Sequence, residues 1–117
     1  MIKNSSKNQI EKFLQLNKSF IVCTYYVDSF SNFYAAMMNK YLEKDLINLY
    51  YLEVNEFMEL FPIKNNIFPI FSIITDGKLS KSLCGFIKYH ELFNEFKIKK
   101  QIYKKTFFLS NDNLNFY

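Results

Sequence analysis

The sequence predicts an α/β fold in which a central mixed sheet carries helices on both faces. Three observations predict it. Residues 20–26, Phe-Ile-Val-Cys-Thr-Tyr-Tyr, are a nearly unbroken apolar run rich in β-formers, the pattern of a strand covered on both sides. Helical spacing of apolar side chains recurs on either side of such runs, most clearly at Tyr89, Leu92, Phe93 and Phe96. An apolar stretch headed by Pro69 then runs into Asp76-Gly77-Lys78, a strong short hairpin signal. Alternating units followed by a hairpin give a mixed sheet.

Length and composition bound the answer. A chain of 117 residues supports one compact core. With 50% hydrophobic and 20% aromatic residues, it is far from the composition of a disordered chain. The apolar runs are too short to cross a bilayer. The N-terminus, Met1-Ile2-Lys3-Asn4-Ser5-Ser6, is polar and has no apolar signal region, so an intracellular, reducing location is expected. Asn4-Ser5-Ser6 fits a glycosylation sequon, which in an asparagine-rich chain reads as chance. The net charge of +4 is mild but unevenly placed. Lys97, Lys99, Lys100, Lys104 and Lys105 crowd together with no acid among them. Such a cluster suits RNA phosphates or an acidic partner, and equally suits a solvated helix end.

Each element has its local reason. Asn8 to Leu16 places Ile10, Phe13 and Leu14 on one helical face, with Ser5 or Ser6 as N-cap, and Asn17-Lys18-Ser19 breaks it. The strand at 20–26 follows. Val27 to Asn32 reads as a polar loop in which Ser31 or Asn32 caps a helix over 33–44, ended by Asp45. Leu46 to Val54 reads as a second buried strand. A short helical turn over 56–61 halts before Pro62. Pro69 lacks an N–H for a ladder and so starts the strand 70–75, which pairs with 79–84 and stops at Gly85. A final amphipathic helix carries Tyr89 to Phe96. The order is α-β-α-β-α-β-β-α.

The stretch from Phe68-Pro69 through the apolar strand, Asp76-Gly77-Lys78, the second strand and Gly85 resembles the thioredoxin-fold proteins, which set a cis-proline, a strand, Asp-Gly-Lys/Glu and a glycine before the last helix. The resemblance implies a cis peptide at Phe68-Pro69 and a thioredoxin-like domain over residues 1–100, with residues 101–117 as a C-terminal extension packing on it.

The chemistry of that fold is not expected here. Its Cys-x-x-Cys sits between the first central strand and the next helix, where this chain reads Tyr26-Val27-Asp28-Ser29-Phe30-Ser31-Asn32-Phe33. Dithiol exchange needs two nearby sulfurs. The sheet order that the resemblance implies sets the strands of Cys23 and Cys84 one strand apart, roughly 9–10 Å between Cα atoms. That exceeds the ~7 Å reach of a disulfide. Both read as reduced core thiols.

Other chemistries find no footing in the residues. His90 is the one histidine, too little for a zinc site. No Gly-x-Ser-x-Gly elbow exists, and two glycines make no phosphate-cradling loop. Glu53, Glu56 and Glu59 form a candidate carboxylate cluster, but Glu56 and Glu59 read as the solvent side of a short helix. The aromatics Tyr25, Tyr26, Tyr50, Tyr51 and Phe71 read as core rather than as base-stacking platforms. The expectation is a non-enzyme with no metal, cofactor, small-molecule substrate or membrane.

The end of the chain adds a narrower resemblance. Lys104-Lys105 followed by Phe107-Phe108-Leu109-Ser110, with Tyr117 at the terminus, resembles the ending of the Dim family, small thioredoxin-like proteins of the spliceosomal U-five ribonucleoprotein. Leu42-Glu43-Lys44-Asp45 and Tyr50-Tyr51-Leu52-Glu53-Val54 are similar to the same family's middle helix and strand. Its Asp-Trp-Asp-Pro loop is reduced to Val27-Asp28-Ser29-Phe30, and its insert after the glycine matching Gly85 is absent. The resemblance implies a nuclear scaffold in pre-mRNA splicing that packs on a large spliceosomal protein and on snRNA. Asp28, Lys99, Lys100, Lys104, Lys105, Ser110 and Tyr117 are the implied partner-binding residues. The alternative is a redox-inactive, degenerate thioredoxin that binds peptides, as a chaperone module, beside Pro69.

Overall fold

The computed structural model describes residues 2–64 and 67–97. A five-stranded sheet runs in the order β1-β3-β2-β4-β5, from β1 (Lys3–Asn4), β2 (Phe20–Thr24), β3 (Leu49–Tyr51), β4 (Ile70–Thr75) and β5 (Lys78–Cys84). β1, β3 and β2 are parallel, while β4 and β5 run antiparallel. Helices α1 (Lys7–Gln15), α2 (Ser29–Lys44) and α3 (Val54–Leu60) connect the strands. A fourth helix, α4, follows β5 over residues 89–97.

Two cores form because the central strands point alternate residues to opposite faces. Ile21, Cys23, Phe71 and Ile73 meet Tyr34, Ala35, Met38 and Leu42 of α2 and Leu92 and Phe96 of α4. Phe20, Val22, Ile70 and Ile74 meet Ile10 of α1 and Phe57 of α3. Every residue of β2 and β4 is buried, which is why both read as apolar without alternation. The hairpin forms as expected, with Asp76 at φ 51° and Gly77 at φ 79°, the signs a tight primed turn demands.

Several elements differ from expectation. α3 starts two residues early, at Val54, and β5 one early, at Lys78. β1 has no apolar pattern, since Lys3 and Asn4 are both exposed; it is a strand only through pairing with Tyr50 and Tyr51. β2 stops at Thr24, so Tyr25 and Tyr26 lie beyond the strand. β3 is shorter than 46–54 because Leu46 takes a left-handed φ of 59°. Its N–H and that of Ile47 close the end of α2 on Glu43 and Leu42 carbonyls. At the other end Glu53 already caps α3. Finally, α2 begins at Ser29, not 33, because Asp28 and not Ser31 or Asn32 is its N-cap.

Candidate functional site

The last turn of β2, the start of α2 and the loops at 67–69 and 85–87 meet at one end of the sheet. The Phe68-Pro69 peptide is cis, and Pro69 is buried. The carbonyl of Pro69 accepts the Gly85 N–H at 2.8 Å, tying the proline loop to the end of β5. Asp28 organises the helix mouth: its carboxylate accepts the Ser31 N–H at 2.8 Å and the Ser31 hydroxyl at 3.2 Å. The carboxylate therefore satisfies one backbone donor that α2 would otherwise leave unpaired and sits at the positive end of its dipole.

Around this mouth the chain exposes aromatic and aliphatic surface. Tyr26 packs on Phe68 with ring centroids 4.7 Å apart. Phe30 meets Phe86 edge-on at 4.9 Å, and Phe86 in turn meets Tyr34 at 5.0 Å. Tyr34 is held from below, its hydroxyl donating to the Ile87 carbonyl at 2.6 Å. Tyr26 is 63% exposed, Val27 69%, Phe30 63%, Ile67 59% and Phe86 53%. Large apolar side chains gathered at one place mark an interaction surface more often than scattered ones do. The expectation that Tyr26 belongs to the core is corrected here: β2 ends two residues before it, so its side chain leaves the sandwich. Tyr25, Phe71 and the half-buried Tyr50 and Tyr51 do pack within the fold.

The thiols lie near the ends of β2 and β5, next to the mouth in sequence but on opposite faces of the sheet. Cys23 is opposite Phe71, which is opposite Leu83, whereas Cys84 is opposite Ile70. Cys23 belongs to the α2/α4 core and Cys84 packs on the α1/α3 core, so their side chains occupy opposite faces of the sheet. Both are free. Burial pushes the Cys23 thiol far up and the Cys84 thiol up, the reverse of what activates a thiol. Burial also pushes the Tyr25 and Tyr34 hydroxyls up to about 12.

The glutamates named in the sequence act in the fold. Glu53 caps α3, Glu56 accepts the Lys7 N–H, and Glu59 pairs with Lys7 at 2.7 Å. His90 is exposed on α4. Among the described residues no group of three or more His, Cys, Asp or Glu side chains is placed to hold a metal ion. No helix among them is long and apolar enough to cross a membrane. Of the residues singled out from the sequence, the structure brings Asp28, Phe68 and Pro69 to one end of the sheet. Lys99, Lys100, Lys104, Lys105, Ser110, Tyr117 and the extension 101–117 lie outside the described residues. The exposed ring of Tyr26, Phe30 and Phe86 is what sequence reading missed. Its available signal was the placing of Tyr26, Val27 and Phe30 around a polar Asp-Ser capping segment.

Comparisons with known proteins give the fold. No protein-family model matches the chain, and no curated protein matches it. Among solved structures, spinach chloroplast thioredoxin f in its long form is similar with a TM-score of 0.69 at 14% identity, over 85% of this chain and 86% of that one. The Plasmodium falciparum thioredoxin gives a TM-score of 0.65 at 16% identity, over 82% of this chain and 97% of that one. Mitochondrial thioredoxin 3 from Saccharomyces cerevisiae gives 0.66 at 14% identity, over 82% and 93%. The chain therefore has a thioredoxin-like α/β fold.

Proposed function

We propose that this chain is a non-catalytic binding module on the thioredoxin-like fold, holding a partner at the end of the sheet where redox members of that fold place their thiols. One observation carries the reading. The mouth of α2 presents the capping carboxylate of Asp28 and a set of exposed aromatics, while Cys23 and Cys84 belong to strands and lie on opposite faces of the sheet. A carboxylate there can cap a helix but cannot attack a disulfide sulfur. Exposed Tyr and Phe side chains, partly fixed by one another, supply apolar contact area with few rotamers to lose.

The setting we propose is the one implied by the resemblance to the Dim family: a nuclear scaffold in pre-mRNA splicing. There the aromatic mouth and Asp28 would face a large spliceosomal protein. Lys99, Lys100, Lys104 and Lys105 would meet snRNA phosphates in a sequence-independent, salt-sensitive way, and Ser110 and Tyr117 would complete the contact. A second reading, a redox-inactive thioredoxin relative that binds peptides beside Pro69, draws on the contact between Phe68 and the exposed Tyr26.

Capture from cell extract, with the bound proteins and RNA sequenced, tests the setting. The splicing reading expects a large spliceosomal protein with snRNA, lost from a Phe30→Ser/Phe86→Ser variant and weakened by deleting residues 101–117. Recovery of mixed unfolded clients with no snRNA would favour the peptide-binding reading. Capture indifferent to the aromatic variant would contradict both.

A further inference from the structure

α2 shows a second unpartnered face, separate from the mouth. Its inward side is defined by Tyr34, Ala35, Met38 and Leu42, all buried. A surface helix ordinarily turns polar side chains to the opposite side. Instead Phe33, Met37 and Tyr41 recur at i, i+4 and i+8 on the outside, 70%, 38% and 43% exposed. With Ala36, Lys40 and Lys44 they line a shallow groove of about 390 Å³. The row spans roughly 12 Å along the helix at 1.5 Å per residue, two turns of α-helix.

Both charged residues that line this groove are lysines. Lys40 and Lys44 flank the apolar row, with the Lys44 ammonium 6.0 Å from the Tyr41 ring centre. Two carboxylates stand at the edges of the surface, each hydrogen-bonded within the chain. Glu43 accepts the Asn39 amide at 2.9 Å on the far flank, and Asp45 accepts the Tyr89 hydroxyl. The Tyr89 ring continues the surface by packing on Tyr41 at 5.2 Å and on Phe93 at 5.8 Å, where Lys97 lies 5.6 Å from the Phe93 ring. The face thus combines apolar anchors at helical spacing with a cationic border.

We propose that the outer face of α2 docks an acidic amphipathic helix of a partner protein. Apolar side chains of that helix at i, i+4 and i+7 would lie along Phe33, Met37 and Tyr41, with its Asp and Glu residues beside Lys40 and Lys44. Charge complementarity selects this occupant. A second copy of the chain in a two-fold interface would bring the same lysines together. A nucleic-acid strand would find phosphate contacts and the Phe33 and Tyr41 rings. The aliphatic Met37 and Ala36 between those rings suit apolar side chains better than stacked bases, and an oligonucleotide probe decides between the two. The proposal concerns a surface distinct from the aromatic mouth and stands whether or not the mouth binds.

The test is fluorescence anisotropy of the full chain with a lactam-stapled helical peptide carrying Leu at i, i+4 and i+7 and Glu on both flanks. A matched peptide with Lys for every Glu and an oligouridylate serve as competing probes. The Glu peptide should bind, more weakly as salt rises. Phe33→Ser should weaken it by about tenfold or more, as loss of a central apolar anchor does. Lys40→Glu/Lys44→Glu should reject the Glu peptide and accept the Lys peptide, a gain that misfolding cannot mimic. Phe86→Ser, in the mouth, should leave binding unchanged. No binding of the Glu peptide, equal binding of the Lys peptide, loss on Phe86→Ser, or tighter binding of oligouridylate would each overturn the proposal. So would sedimentation of the chain as a dimer that Phe33→Ser dissolves.

Discussion

The two ends of the sheet make opposite use of their residues. At the hairpin end, Asp76 and Gly77 bind back into their own chain. The Gly77 N–H donates to the Lys18 carbonyl at 2.9 Å, and the Ser19 hydroxyl accepts the Asp76 N–H at 2.9 Å. A Cβ on Gly77 would come within 2.4 Å of the Leu14 carbonyl oxygen, so only glycine fits. At the other end Asp28 and Pro69 also bind inward, but Tyr26, Val27, Phe30, Ile67 and Phe86 turn out to solvent. The hairpin end ties its turn into the fold and exposes the aliphatic Leu16, Leu46 and Leu79 rather than aromatic rings. The other is rigidly supported yet apolar outside, the condition for a surface that meets a partner without first having to order itself.

Mutations at the two ends should therefore separate stability from binding. The reference for a purely structural residue is Phe71, fully buried between the ends. Phe71→Ala should cost about 3–5 kcal/mol in urea denaturation, for lost transfer energy and the cavity left behind. Gly77→Ala should cost about 3 kcal/mol through its left-handed φ and the clash with Leu14, with no effect on any partner. Asp28→Ala should cost about 1 kcal/mol by removing the cap, and Asp28→Asn should recover most of it. Tyr26→Ser and Phe30→Ser should stay within about 0.5 kcal/mol of the parent while abolishing partner capture. A destabilisation from Phe30→Ser as large as that from Gly77→Ala would erase the distinction between the ends.

Alkaline pH probes the supported side of the mouth without mutation. Tyr25 and Tyr34 are held at about 12 in the fold, chiefly by burial, against about 10 in an unfolded chain. Between those values the unfolded state has lost protons that the folded state keeps, so stability falls as pH rises from 10 to 12. Denaturation midpoints measured at pH 9 and pH 11 should show the drop, and Tyr34→Phe should shrink it. A flat profile would contradict the burial of these hydroxyls.

How much of this was legible in the sequence follows from what each element rests on. β2 and β4 announce themselves because burial on both faces selects apolar residues at successive positions, with only Thr24, Ser72 and Thr75 polar. The hairpin is written in Asp76-Gly77, where backbone conformation selects the residues directly. The place of Pro69 came from the order of motifs around it, since proline itself does not reveal its peptide isomer. β1 was illegible: two exposed residues, Lys3 and Asn4, become a strand only when Tyr50 and Tyr51 offer an edge. The end of β3 misled because Leu46 looks like a strand residue but is 92% exposed in a helix-closing turn. The aromatic mouth was hidden for a related reason. An apolar side chain carries no mark of which side of the surface it will occupy, and Tyr26 lies just past the point where β2 ends.

The central claim is that a thioredoxin-like fold without sulfur at the mouth of α2 binds partners but does not exchange electrons. Insulin-disulfide reduction by the purified full chain, with dithiothreitol as electron source, tests it most directly. The account predicts a rate equal to the protein-free blank, unchanged in Cys23→Ser and Cys84→Ser variants. A rate above the blank that Cys84→Ser or Cys23→Ser abolishes would contradict it.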